Sequence, residues 1–146
     1  MKRITGIFLL GAALASCSLA GKFRKSEFTY TEGTIEQSIP ILIPKGYTSE
    51  KTEVDSSGNT ILTYRYKDNS IFYIAHLADT SVQLQPFIES QNIPRVALQT
   101  GAWVFKGIDR EDLFWREIRN QTIWTGYRFV PSETEARFDS ATNYVA

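Results

Sequence analysis

Short runs of alternating apolar and polar residues, divided by turn residues, extend along the chain from Phe28 onward. Alternation with a period of two is typical of half-buried β-strands. The apolar run at 39–43 contains Pro40, which cannot donate a ladder hydrogen bond, and therefore suits the edge of a sheet. Further strands are predicted at Thr60–Tyr66, 71–77, 102–106, 113–119 and 122–130.

The strands on either side of Asp68-Asn69 are predicted to form a hairpin. Asp and Asn tolerate the left-handed backbone angles that a two-residue hairpin turn requires. Pairing Lys67 with Ser70 sets Tyr64 opposite Tyr73, and we expect this surface to face the core.

A second hairpin is predicted around Asn120-Gln121. Its pairing sets Trp115 beside Gly126 and Glu117 beside Trp124 on one face, where an aromatic ring would cover the exposed backbone of a strand glycine. The opposite face also carries large apolar groups. Both faces therefore need a cover, and the C-terminal segment is the expected cover of the face with the two tryptophans.

That C-terminal segment is predicted to be a helix beginning near Ser132, because Phe138, Ala141 and Val145 fall on one stripe at helical spacing. The expected fold is α+β, an antiparallel β-sheet of about six to seven strands with the C-terminal helix packed on one face. A small β-barrel is the alternative. A brief helix is also predicted at 86–91, in the connection between the two hairpins.

The N-terminus has the three-part layout of a secretory signal peptide. Lys2 and Arg3 precede a mostly apolar stretch at 4–15, and small residues follow. A bilayer-spanning helix needs about 20 predominantly apolar residues. The stretch is shorter than that, so export with cleavage is the favoured interpretation.

The sequence Leu14-Ala15-Ser16-Cys17 resembles the lipobox of bacterial lipoproteins, and the resemblance is confined to the N-terminal region. It implies that Cys17 receives a diacylglyceryl thioether, that the chain is cut before it, and that the new amino group is acylated. Two or three acyl chains hold a protein on a membrane almost permanently. An ordinary signal peptide with an idle thiol is the alternative.

This processing divides the chain into a signal peptide at 1–16, a lipidated tether at 17–27 and a single β-rich domain at 28–146. The mature 17–146 segment has 14 Lys+Arg, since Lys2 and Arg3 are removed, against 16 Asp+Glu, a net charge of −2. The residue after the cysteine, Ser18, is not the Asp that the family associates with inner-membrane retention. The expected location is therefore the outer membrane, facing the periplasm.

The composition narrows the function classes. The chain has 146 residues, 42% hydrophobic and 13% aromatic, which fits one globular domain. With 16 basic and 16 acidic residues there is no polybasic field, so a nucleic-acid partner is not expected. One His and one Cys argue against metal sites and internal disulfides. No cofactor is expected besides the acyl chains on Cys17.

Catalytic motifs are missing from the sequence, so no catalytic residue is assigned and the protein is not expected to be an enzyme. His76 is interpreted as a surface or hydrogen-bonded group. The acids at 109–112 resemble a solvated turn, although they and Glu117 keep a carboxylate-dependent glycan hydrolase open as an alternative. Trp103, Trp115 and Trp124 form a candidate surface for a carbohydrate or a peptide, with core packing as the simpler explanation.

The leading functional expectation is a lipid-anchored, non-catalytic binding protein, an accessory or assembly factor of a membrane or cell-wall system with an envelope protein as partner. Tethering raises the effective concentration of such a domain at one surface. An immunity-type lipoprotein that inhibits a periplasmic toxin is a second hypothesis, beside the glycan hydrolase.

Overall fold

The computed structural model describes residues 21–78 and 95–145. Within these residues the chain forms nine strands followed by a helix. In chain order they are β1 (Phe23–Glu32), β2 (Ile35–Pro44), β3 (Tyr47–Val54), β4 (Thr60–Tyr66), β5 (Ile71–His76), β6 (Arg95–Ala97), β7 (Trp103–Ile108), β8 (Phe114–Asn120), β9 (Ile123–Val130) and α1 (Ser132–Val145). The predicted helix at 86–91 lies outside the described residues.

In the described part of the chain, seven strands form one antiparallel sheet in the order β3-β4-β5-β9-β8-β7-β6, and β1 pairs with β2 in a separate hairpin. The predicted α+β class, with an antiparallel sheet and a C-terminal helix, is confirmed. β3 and β6 are opposite edges of an open sheet, so the alternative of a small β-barrel is wrong.

One face of the large sheet, which we call the helix face, is covered by α1 and by the β1–β2 hairpin. The ring of Phe138 on α1 lies 5.0 Å from that of Tyr66 and 5.7 Å from that of Tyr127. The hairpin adds Phe28 and Ile41 to the same core. The buried members of this core are Phe23, Phe28, Ile41, Ile43, Leu62, Tyr64, Tyr66, Phe72, Ile74, Tyr127, Val130, Phe138 and Ala141.

A polar cluster fixes α1 on this face. Asp139 accepts hydrogen bonds from the Tyr127 hydroxyl at 2.8 Å and from Nη1 of Arg116 at 3.1 Å. The same Nη1 donates to the Thr142 hydroxyl at 3.2 Å. The predicted apolar stripe is confirmed, since Phe138 and Ala141 are buried. Because its partners lie on the Tyr127 side, α1 does not cover the face with the tryptophans, and that prediction is wrong.

The first hairpin differs from its predicted register by one residue. The Tyr66 amide donates to the Ser70 carbonyl at 3.0 Å, and Asn69 takes the left-handed conformation with φ 68°. The loop therefore has three residues instead of two. Since side chains alternate between faces, a one-residue shift moves them across the sheet. Tyr64 pairs with Phe72, and Tyr73 lies on the opposite face.

The second hairpin turns at Gln121-Thr122, where Gln121 has φ 51°. Asn120 is opposite Ile123, and Glu117 is opposite Gly126 instead of the predicted Trp124. The register therefore differs from the prediction by two residues along β9, and a shift of two residues keeps each side chain on its predicted face. Trp115, Glu117 and Trp124 consequently share a face, as the alternation predicts.

The folded body begins earlier than expected. β1 starts at Phe23, which is 8% exposed and pairs with Pro44. The part of the predicted tether from Phe23 to Glu27 is therefore strand. Arg24 and Lys25 made this stretch resemble a solvated linker, but both lie on exposed positions of a two-stranded hairpin.

Candidate functional site

Three tryptophans lie on the face of the large sheet opposite α1, which we call the Trp face. Trp103 on β7 is opposite Arg119 on β8, and Arg119 is opposite Trp124 on β9. Trp115 on β8 faces Gly107 on β7. The structure thus places all three members of the predicted surface on one face of the sheet. They differ in burial, because Trp103 is 40% exposed, Trp115 is half-buried and Trp124 is 5% exposed.

An arginine is stacked between two aromatic rings at the centre of this group. The guanidinium carbon of Arg119 lies 4.0 Å from the ring centre of Trp124 and 4.4 Å from that of Phe105. Attraction of a cation to ring faces is strongest for tryptophan and grows when water is excluded. The indole Nε1 of Trp124 donates to the Gln121 carbonyl at 3.2 Å, which fixes its ring next to the turn.

A buried carboxylate lies beneath the arginine. Glu117 is 2% exposed, and its Oε1 accepts a hydrogen bond from Nε of Arg119 at 2.6 Å. Its Oε2 accepts from the Tyr73 hydroxyl. Burial, followed by the Glu117 charge, raises the pKa of Tyr73 well above its ordinary value. Both carboxylate oxygens therefore have donors, as a buried charge requires.

A second arginine extends the group toward the edge of the sheet. Arg95 on β6 is exposed, and its guanidinium carbon lies 4.5 Å from the ring centre of Trp103. Among the described residues its N–H groups have no hydrogen-bond acceptor. At its β6–β7 side, the Trp face therefore presents the exposed guanidinium of Arg95 resting on the exposed Trp103 ring.

Two strand glycines on the Trp face are covered by aromatic rings. The Trp115 indole packs on Gly107, where a Cβ would lie 2.8 Å from ring atoms. The Tyr73 ring covers Gly126, where a Cβ would lie 2.7 Å from Cζ. The prediction that Trp115 lies beside Gly126 is wrong, because the register of the second hairpin sets Glu117 opposite Gly126 and Trp115 lies opposite Gly107 on β7.

The acidic turn between β7 and β8 has a structural explanation. The Oδ1 of Asp109 accepts hydrogen bonds from the amides of Glu111 at 2.8 Å and Leu113 at 3.1 Å. Asp112 takes the left-handed conformation with φ 58°. This pattern is an Asx turn, in which the aspartate closes its own loop. Glu117 lies inside β8, where both of its carboxylate oxygens accept hydrogen bonds from side chains.

His76 is buried on the helix face, where a surface or hydrogen-bonded group was expected. It is 2% exposed, its ring lies 4.2 Å from that of Tyr30, and its Nδ1 has no hydrogen-bond partner in the described part of the chain. Burial lowers the pKa of His76, and the Glu32 carboxylate opposes this effect. The neutral imidazole is therefore the form that suits this site.

Acidification should destabilise the protein through His76. Because the folded-state pKa is below the ordinary value of 6.5, the unfolded chain binds more protons as the pH falls through 6.5 toward the folded-state pKa. The free energy of unfolding should decline over this interval and be highest above it. Urea unfolding at several pH values checks this, with H76F as the comparison. If the free energy of unfolding of H76F falls with pH as steeply as that of the wild-type protein, the pH dependence comes from other groups.

No group of three or more potential metal ligands occurs among residues 21–78 and 95–145. In the same ranges no helix has the length and apolar character needed to cross a membrane. Cys17 lies outside the described residues, so its predicted lipidation stays a prediction.

Sequence reasoning missed Arg95, Phe105 and Tyr73 as neighbours of the tryptophans. Phe105 follows Trp103 at the strand period, which is a usable signal once β7 is placed beside β8. The position of Tyr73 depends on the length of a turn that the sequence leaves open, and Arg95 belongs to a three-residue edge strand. Comparisons with protein-family models, curated proteins and solved structures found no match.

Proposed function

We propose that this protein is a lipid-anchored, non-catalytic binding factor of a bacterial envelope, held by Cys17 at the outer membrane on its periplasmic side. Its Trp face docks an envelope protein for which it acts as an accessory or assembly factor. The lipobox at 14–17 supports the anchor, and the aromatic and arginine side chains of the Trp face support the docking.

The observation that carries this proposal is the exposed tryptophan and arginine pair on one edge of the Trp face. On the helix face, α1 and the β1–β2 hairpin cover the core side chains of β4, β5 and β9. At the β6–β7 side of the Trp face, Trp103 is 40% exposed and lies beside the exposed Arg95. Tryptophan and arginine are among the residues most enriched in the positions that dominate binding energy at protein interfaces. Tethering would compensate for modest affinity, because it raises the effective concentration at the membrane.

Loss of the thiol should release the protein from the membrane. In C17A no thioether can form, so we expect the chain to remain unprocessed or to appear in the soluble fraction. The wild-type protein should stay with the membranes and leave them only with detergent, because each buried methylene of its acyl chains contributes about 0.8 kcal/mol. Cell fractionation with mass spectrometry of the N-terminus measures both. A C17A protein that is cut and bound normally contradicts the anchor.

Docking is tested separately on native gels of the wild-type protein extracted in mild detergent. We expect it to migrate in a complex larger than the monomer, and W103A to shift most of it to the monomer position. The control is Y144A, because Tyr144 is 48% exposed on α1, away from the Trp face. A W103A protein that assembles as wild type does would refute docking through this face.

A further inference from the structure

We infer that the partner presents carboxylate groups to Arg95 and Arg119, so that an acidic segment of a protein lies across the β6–β8 part of the Trp face. This inference rests on the proposed docking function and specifies the chemistry of its partner. It is carried by the geometry of the two guanidinium groups and by the charges of the face.

The first anion position is at Arg119. Its guanidinium is held between the rings of Phe105 and Trp124 at 4.4 and 4.0 Å, and its Nε is bonded to Glu117 at 2.6 Å. These contacts fix the plane of the group, while its two Nη groups have no acceptor within the described residues. A planar guanidinium with fixed orientation and free N–H groups is suited to a carboxylate.

The second anion position is at Arg95. Its guanidinium rests on the Trp103 ring at 4.5 Å, and the described residues provide it with no ion pair. β6 and β8 flank β7, so the two arginines stand on strands about 10 Å apart. Trp103 lies between them, opposite Arg119 in the register. An extended acidic segment could thus reach both positions and contact the tryptophan.

The occupied ring faces argue against a sugar platform, which the three tryptophans alone suggest. Stacking of a pyranose needs an open aromatic face. Arg119 takes one face each of Phe105 and Trp124, and Arg95 takes one face of Trp103. Each of these rings therefore has at most one face left for a pyranose, because a guanidinium occupies the other.

The charge of the Trp face also favours an acidic partner. The mature segment has a net charge of −2, from 14 Lys+Arg and 16 Asp+Glu. On the strands of the Trp face the ion pairs Lys51–Glu53 and Arg119–Glu117 are neutral. Two further charged side chains at strand positions of this face, Arg65 and Arg95, are exposed and have no ion-pair partner among the described residues. The face is thus positive on a chain that is negative overall, and complementary charge would guide the partner to it.

The test titrates the full mature lipoprotein in detergent micelles with a hexaglutamate peptide at low salt, followed by tryptophan fluorescence. We expect saturable binding that R95Q weakens about tenfold, because charge-assisted hydrogen bonds are lost. R65Q is the matched control, since it removes the same charge from the same face at β4, far from Trp103. It should change the affinity by less than about twofold.

Several results would overturn the inference. If R95Q and R65Q weaken hexaglutamate binding equally, the peptide is attracted by the net charge of the protein alone. Binding of tripolyphosphate or of neutral chitohexaose without binding of hexaglutamate would assign the face to another ligand class. Protection of Trp103 from acrylamide quenching in the free protein, judged against W103F, would show that this chain itself covers the face. If the complex seen on native gels persists in R95Q but is lost in W103A, docking through the Trp face is supported and only the acidic character of the partner is refuted.

Discussion

Replacing Arg119 with methionine should lower the free energy of unfolding by about 3 kcal/mol. The variant leaves the Glu117 carboxylate, 2% exposed, with the Tyr73 hydroxyl as donor and without its cation. Methionine keeps an apolar side chain between Phe105 and Trp124. The loss of stability therefore measures mainly the effect of leaving the buried Glu117 carboxylate without its cation. Urea unfolding of the mature protein measures it.

A second substitution separates charge from packing at this site. In R119M/E117Q the buried group is a neutral amide, and more than half of the lost stability should return. The exposed Arg95 gives the comparison on the same face, since R95M should cost less than about 1 kcal/mol. If R119M unfolds at the wild-type urea concentration, the Arg119 pair does not support the buried Glu117.

Replacing Gly126 with alanine should destabilise the protein by about 3 kcal/mol. The added Cβ would overlap the Arg116 carbonyl oxygen and would lie 2.7 Å from Cζ of the Tyr73 ring. Gly126 is not among the residues with positive φ, so the cost is steric. Backbone on one side and a buried ring on the other leave little room for relaxation. Thermal and urea unfolding of G126A measure the loss.

The matched control for this prediction is G107A. Its Cβ would meet only the Trp115 indole, at 2.8 Å, and Trp115 is half-buried. A side chain at the surface can move aside, so we expect a loss of about 1 kcal/mol. Equal losses in the two variants would contradict the close contact between β8 and β9 at Gly126.

The sequence pattern predicts most strand positions because apolar alternation survives small errors in register. β4 lies at the predicted residues, Thr60–Tyr66, and α1 begins at the predicted Ser132. In the second hairpin, a two-residue shift preserves the faces of Trp115, Glu117 and Trp124. The shared face of these three side chains therefore follows from the alternation of the sequence alone.

The remaining errors come from features that alternation does not encode. In the first hairpin, Asn69 takes a left-handed conformation in a three-residue loop, and the resulting single shift moves Tyr73 to the Trp face. α1 lies on the helix face because Phe138 contacts Tyr66 on β4 and Tyr127 on β9, and both residues belong to other elements of the fold. Neither a local loop conformation of this kind nor a long-range contact follows from the period of the sequence.

Photo-crosslinking in growing cells tests whether the protein contacts a partner through the Trp face while it is held at the membrane. A photoreactive amino acid at position 103, on the Trp face, is compared with one at 144 on α1, where exposure is similar at 48% against 40%. We expect a discrete crosslinked product from position 103, none from position 144, and loss of the product when C17A is added. Equal products from both positions, or none from 103, would contradict a membrane-tethered protein that docks its partner through the Trp face.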